Sequence, residues 1–515
     1  MPHRRALALL AALLPAALLL LGLRPALLSL PAAGPWGPED PWRNGDVAGA
    51  WWWWWAAHRL WRGGEIDALV NHPNGLGSLG ATLPNPVQLG LLGALGPPTP
   101  LAWNLLMLGH SVLHVIATQR LCRAAGAGPA LAAGAAALVA ASPLCLHELA
   151  GGRPDSLPMW PALFAWALAL RGGPRAGALA GALIGLQGVL YLWHGIIAAL
   201  VALLLRPSAR SALPGVIGGA VVFLPYLLWL WPALHAGAAL NLPPAGYTSQ
   251  PLAGLFVADD LPERFLAHPA LVMGALLLGA RRGGRGLLAA GLLVLALSLG
   301  PTLRWRPGED GLVGPLAWLQ WAAPALRRLH HPARAAGLAL PLLAAALAAG
   351  LRRPGRAGWA SGALLVGLAL PRLDGLGRVG RWEAAAAPPY AALAAARAGG
   401  GPVIDLLGME HRTAILLQTV HGRPLAEPFA FRRTGPWAAE LDALARGQPP
   451  APDLFARLAA AGFTELWVLP RFGEGEAARA RVEAALGPAA GGAWTLPAPG
   501  GAGGRPQQRG AAATP

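Results

Sequence analysis

Lysine is missing from this sequence, and carboxylates are missing from its long apolar runs. All 40 side chains in the Lys+Arg class are arginine, against 24 Asp and Glu, and the formal net charge is +16. With 69 glycines, 51 prolines and abundant Ala and Leu, this bias matches a GC-rich bacterial genome and says nothing of mechanism. Two cysteines give neither a disulfide framework nor a CxxC motif. Cys122 and Cys145 fall near opposite ends of an expected helical hairpin, which keeps them from pairing. Charged residues make up only 12% of the 515 positions and hydrophobic ones 55%, a balance that excludes an ordinary soluble enzyme and indicates a membrane protein. The arginines are scattered in short clusters between apolar runs, so the positive charge does not point to nucleic acid. The chain lacks a P-loop, a GxGxxG before a helix, GxSxG and HExxH. Nucleotide-driven transport, zinc proteolysis and serine hydrolysis therefore have no support.

What is present is a series of eleven apolar runs, at 6–23, 100–121, 126–146, 157–171, 176–193, 194–205, 212–234, 266–280, 286–300, 333–351 and 357–371. Each is a candidate span against the ~20 residues a helix needs to cross a bilayer. Arginine clusters alternate with them: Arg4/Arg5, Arg120/Arg123, Arg171/Arg175, Arg206/Arg210, Arg281/Arg282/Arg285 and Arg352/Arg353/Arg356. By the positive-inside rule these mark the cytoplasmic side, with the N-terminus in. The two short runs at 176–205 meet at Trp193-His194-Gly195, where a tight outer turn is expected; the alternative, one long tilted helix, would put three arginine clusters outside, which the positive-inside rule disfavours. The first run, longer than a usual signal-peptide core and followed by ten more, is expected to be an uncleaved span. With no acid inside any run, an ion-coupled transporter would lack its usual intramembrane carboxylate.

The expected fold is mainly α: a polytopic membrane helix bundle with about 11 spans in a bacterial inner membrane, the C-terminus outside, carrying a small extracytoplasmic α/β domain. Its parts are a transmembrane domain over 1–371, with a long outer loop at 24–99, a soluble α/β domain over 372–497, and a disordered tail over 498–515. VIDLL (403–407) and ELWVL (465–469) read as buried strands, 437–446 and 453–461 as amphipathic helices. An outer loop as long as 24–99 is usually functional.

That loop holds GDVAGAWWWWW (45–55). Asp46 opens a helical pattern, which suits an N-cap and equally a general base at the membrane surface. Glu39 and Asp40 are the competing acids. Five adjacent tryptophans sweep all round a helix, so an interfacial helix accounts for most of them. Trp51 and Trp55, at i and i+4, are the pair that could face a sugar ring or an isoprenoid chain. His72, in the turn HPNG, and Arg153, in GGRPD, are candidates for the wall of a site. In RRLHHPARAAG (327–337), Arg327, Arg328 and Arg334 stand on the side where the chain otherwise avoids positive clusters. Arg327, His331 and Arg334 recur at helical spacing with Pro332 fit for a first turn. This pattern suits either headgroup snorkelling or the phosphate of a lipid carrier.

These features resemble the GT-C superfamily, multi-spanning glycosyltransferases that use a sugar carried on a polyprenyl phosphate, and in particular bacterial branches related to YfhO-like proteins. The resembling segments are NGDVAGAW, LWRGG, HPNG, RPDSLPMWP, LHHPARAAG and QTVHGRPL (418–425), spread over the chain to about residue 470. The resemblance implies a polyprenyl-phosphate-linked sugar as donor, membrane lipids as surroundings and an acceptor outside the cytoplasm. Asp46 would then take the place of the first-loop catalytic acid, and the basic segment would hold the phosphate leaving group. Members with adjacent acids in the catalytic stretch differ from this chain, where Asp46 stands alone. A divalent metal, used by some members, does not follow from one carboxylate, and no metal ligands are assigned. A non-catalytic protein of the same fold that binds lipid-linked glycans is the alternative, and a transporter the weaker third.

Overall fold

The computed structural model of the chain describes residues 11, 13–21, 45–66, 86–142, 145, 157–205, 209–235, 269–281, 283–304, 311–323, 326, 332–351, 356–373, 390–407, 413–426, 437–469 and 475–497. In chain order the elements begin with α1 (Gly45–Trp61), α2 (Pro86–Leu95), α3 (Pro100–Ala124), α4 (Pro129–Ala140) and α5 (Trp160–Arg171). Then come α6 (Pro174–Leu190), α7 (Leu192–Leu204), α8 (Ala209–His235), α9 (Pro269–Leu278) and α10 (Arg285–Ser298). A two-stranded hairpin, β1 (Thr302–Leu303) and β2 (Leu312–Val313), leads to α11 (Pro315–Ala322) and a 3-10 turn at Pro332–Ala335. The helices α12 (Ala336–Gly350), α13 (Arg356–Leu373) and α14 (Ala391–Ala396) follow. The last part alternates: β3 (Val403–Asp405), α15 (Thr413–His421), α16 (Ala438–Ala445), α17 (Leu454–Ala460), β4 (Glu465–Trp467), α18 (Glu476–Leu486) and β5 (Ala493–Thr495).

The chain divides into two compact units, one made of Met1–Pro41 and Ala81–Ala386, the other of Trp42–Gly80 and Ala387–Pro515. The domain boundary expected at 371/372 leaves all of 24–99 with the helix bundle. The structure instead assigns Trp42–Gly80 to the unit formed by the end of the chain.

In the first unit every described stretch of the expected apolar runs is mainly helical. Among the described residues, only Pro100–Ala124, Arg210–Leu228 and Pro332–Gly350 are both long and apolar enough to cross a membrane, whereas α4 and α5 have 12 residues each. Proline starts many of these helices: α3, α4, α5, α6 and α11 carry it in their first two positions, where its missing N–H costs nothing. Thr99 caps α3, its hydroxyl accepting from the N–H of Ala102 at 3.2 Å. The α5–α6 connection turns in two glycines, Gly172 and Gly173, at φ 74° and 91°, a region open to glycine without strain.

The break expected at 193–195 falls at Tyr191, whose extended backbone (φ −154°, ψ 107°) separates α6 from α7. Gly188 and Gly195 then lie backbone against backbone. Helices α6 and α8 run parallel and close: Gly177 meets Ser211, Gly181 meets Gly215 and Gly185 meets Gly219, so α7, which joins them along the chain, runs back the opposite way. This is small-xxx-small packing, which lets membrane helices approach through their backbones. Helices α10 and α12 are antiparallel, with Gly291 against Leu342 and Leu343 and Gly284 against Ala346.

The second unit is α/β. Its sheet has the order β3-β4-β5, parallel between the first two strands and antiparallel between the last two, with a bridge from Val403 to Leu425. Ile404, Leu444, Leu458, Phe463, Leu466 and Trp494 belong to its apolar core. The strands expected at 403–407 and 465–469 form at 403–405 and 465–467.

Candidate functional site

Helix α1 belongs to the second unit, and this changes the setting of the tryptophans. Every residue from Val47 to Trp54 is buried, with Trp52 fully so and Trp51 the least at 8% exposed. A helix lying at a bilayer surface keeps one face in water, whereas the part of α1 from Val47 to Trp54 is buried on all faces and only its end, at Leu60 and Trp61, is exposed, so the expected interfacial anchor is not what Trp51 to Trp54 form. Trp52 Nε1 donates to Gln418 Oε1 at 2.7 Å, which ties α1 to α15. Trp55 is half-buried, with the Arg59 guanidinium 5.5 Å from its ring centre, a cation–π stack on the pair member that had been free to face a ligand. Among the described residues the exposed tryptophans are Trp61 (64%) at the end of α1, Trp318 (66%) and Trp321 (81%) on α11 and Trp359 (42%) on α13.

Asp46 is the second residue of α1, so the acid expected at a helix start is in the first turn. Glu39, Asp40, His72, Arg153, Arg327, Arg328 and His331 lie outside the described residues. Arg334 is described: it is 7% exposed in the 3-10 turn that opens α12. That turn packs against α7 and α10 as well as α12. A guanidinium so enclosed does not snorkel to headgroups, which was one of the two readings of its charge.

Gln418 begins a polar chain through the middle of the second unit. Its Nε2 donates to the carbonyl of Arg423 at 2.8 Å, and the N–H of Arg423 donates to His421 Nδ1 at 3.0 Å. The Arg423 side chain, fully enclosed, donates to the carbonyls of Gly401 and Arg397, to Thr464 Oγ1 and to Glu465 Oε2. Glu465 also accepts from Trp467 Nε1 at 2.7 Å and pairs with Arg397 at 3.1 Å. Burial alone would raise the Glu465 carboxyl, but the Trp467 bond and the two arginines outweigh it and hold it below the ordinary value. His421 stacks edge-on to Trp467, and burial first, then the charge of Arg423, lowers its pKa to about 3. Its imidazole is therefore neutral, with the proton on Nε2, since Nδ1 is an acceptor. So many satisfied donors make Arg423 a structural cross-link for strands β3 and β4. Sequence reasoning noted the QTVHGRPL segment but not this role, because Glu465 and Thr464 are far away along the chain.

The first unit has its own polar line, along one face of α3: Asn104, His110, Ser111, His114 and Thr118 are all buried. Trp160 Nε1 donates to His110 Nδ1 at 3.1 Å, and His110 Nε2 lies 2.7 Å from the Gln88 side-chain amide. Ser111 and Thr118 return their hydroxyls to carbonyls one turn back. His114 Nε2 lies 4.0 Å from Cys145 Sγ, and both Cys122 and Cys145 are free thiols. Two histidines and an asparagine at helical spacing inside an apolar run were a signal for this line that was left unread.

No protein-family model matches the chain, and no curated protein does. Solved structures do. Over 90% of this chain the fold follows the arabinofuranosyltransferase AftD from Mycobacteria, at TM-score 0.54 and 19% identity. Over 89% it follows the oligosaccharyltransferase of Archaeoglobus fulgidus, solved with a tethered acceptor peptide, at TM-score 0.53 and 13% identity. The chain has a GT-C-type fold. It spans 35% of the length of AftD and 68% of the oligosaccharyltransferase. At these identities the GT-C likeness is one of fold.

Proposed function

We propose that the chain is a membrane glycosyltransferase that moves a sugar from a polyprenyl-phosphate donor to an acceptor outside the cytoplasm. The observation that carries this reading is the GT-C-type fold over nine-tenths of the chain, shared with two glycosyltransferases. The narrower YfhO-like kinship rests on the sequence segments alone. The proposed topology is that of the arginine pattern, with the N-terminus inside and the α/β unit, now including 42–80, on the outer side of a bacterial inner membrane.

In the proposed reaction an acceptor hydroxyl attacks the anomeric carbon, the bond from that carbon to the phosphate oxygen breaks, and polyprenyl phosphate leaves. Asp46, in the first turn of α1, takes or orients the hydroxyl proton. Glu39 and Asp40 remain the other acids for that role. The segment with Arg327, Arg328, His331 and Arg334 supplies arginine forks suited to a phosphate. His72, Arg153, Trp51 and Trp55 keep a proposed role in substrate binding, with Trp51 limited by its burial.

The test is sugar transfer from a polyprenyl-phosphate donor by the purified full chain and by Asp46→Asn. Loss of a general base lowers turnover by roughly 10²–10⁴-fold, with donor binding and membrane insertion unchanged. Undiminished transfer removes Asp46 as the base. Donor binding without turnover in the unaltered protein would favour the non-catalytic glycan-binding alternative, consistent with a lone acid where related enzymes have two.

A further inference from the structure

Helices α5 to α8 border a cavity of about 590 Å3, inside the ~300–1,000 Å3 range of ligand pockets. It runs from Gly172, Gly177 and Ser211 at one end to Gly188, Phe223 and Leu227 at the other, and its walls are apolar. Three lining side chains, Leu192, Leu203 and Val216, are 40%, 68% and 69% exposed, so the cavity is a groove that opens sideways. The parallel contacts of α6 and α8 keep it from closing, because those two helices already touch through backbone.

The two ends differ in charge. Arg171 ends α5, Arg175 is second in α6 and Arg210 is second in α8, next to the lining residues Gly172, Gly177 and Ser211. All three arginines are exposed. No Asp or Glu occurs between Asp155 and Asp259, so this segment brings no acid to offset them. The opposite end, at Tyr191, has aromatic rings and no charged side chain within the segment. An apolar channel ending in three arginines fits an amphiphile with a long tail and an anionic head.

We infer that the groove holds an acyl chain of an anionic glycerophospholipid whose phosphate pairs with Arg171, Arg175 and Arg210. The inference stands on the groove and its charged end, independently of glycosyl transfer. Only its placement in the inner leaflet follows from the proposed topology, which would put this headgroup on the side opposite the donor's phosphate.

The test is native mass spectrometry of the full chain, titrated with phosphatidylglycerol or with phosphatidylcholine of the same acyl chains. Phosphatidylglycerol should form a one-lipid adduct at a concentration roughly tenfold lower or less. The triple variant Arg171→Gln, Arg175→Gln, Arg210→Gln should bring the two lipids level. Ala202→Phe or Ala199→Phe, each filling the groove, should remove the adduct for both, with the melting temperature reporting that the variant is folded. Equal affinity of the unaltered protein for the two lipids overturns the inference, and this needs no variant to fold. So does displacement of phosphatidylglycerol by equimolar undecaprenyl phosphate, which would make the groove the donor's.

Discussion

Replacing Gln418 by leucine removes two buried hydrogen bonds at once, leaving Trp52 Nε1 and the Arg423 carbonyl without partners. Each orphaned group costs about 1–3 kcal/mol, so Gln418→Leu should lower the melting temperature of the second unit more than Trp52→Phe does. Tryptophan fluorescence during thermal unfolding reads this, and a silent Gln418→Leu would show the tie to be dispensable. The neighbouring His421 gives a pH signature. The unfolded imidazole titrates near 6.5 and the folded one near about 3, so between those values the unfolded chain binds the extra proton. Stability is complete above about pH 6.5 and declines as the pH falls toward 3. Glu465, whose folded pKa is also lowered, adds to the loss at the acid end. His421→Asn, which keeps an acceptor for the Arg423 N–H, should flatten the dependence of melting temperature on pH between 6.5 and 4.5. At this scale a helix start near Asp46 was legible because its signal is local, but Asp46 lies second within the helix and not at the cap position expected for it. The His421–Arg423–Glu465 cluster was not legible, since its members meet only through strand pairing.

Helices were legible wherever their signals were local: an apolar run, a proline at the start, an arginine at the end. The turn at Tyr191 was expected two residues late because both sides of it are equally apolar. Close packing between α6 and α8 was not read, because glycine in a helix signals weakness until its partner is known. It leads to a paired prediction. Gly181→Ala drives a methyl into the carbonyl of Gly215 and should cost about 1–3 kcal/mol or more, as overpacking does. Gly367→Ala, in α13 with nothing within 4 Å of the added carbon, should instead be neutral or gain up to about 1 kcal/mol. Thermal denaturation in detergent separates the two, and equal effects would mean that α6 and α8 do not touch as described.

For the molecule as a whole, the sequence divides where the apolar runs stop, but the folded chain divides otherwise: a piece of the first long loop joins the C-terminal α/β unit. A truncation ending at Ala386 therefore does more than delete a domain. It strips α15 from α1, so limited proteolysis should cut readily within 42–80 of the truncated protein and not of the full chain. Equal resistance would show that α1 is held without its C-terminal partners. The tryptophan run misled for the same reason: five adjacent indoles look like a surface anchor when the glutamine that ties one of them, Trp52, is encoded near the other end.

The bond between Trp52 and Gln418 joins residues 366 positions apart, which at about 5–20 residues per second is roughly 20–70 s of translation. For that time the ribosome has released the tryptophan run while the glutamine that holds Trp52 does not yet exist. The growing chain thus carries its most adhesive helix early and completes it last, which makes this segment a natural client for a chaperone that holds aromatic sequences until synthesis ends.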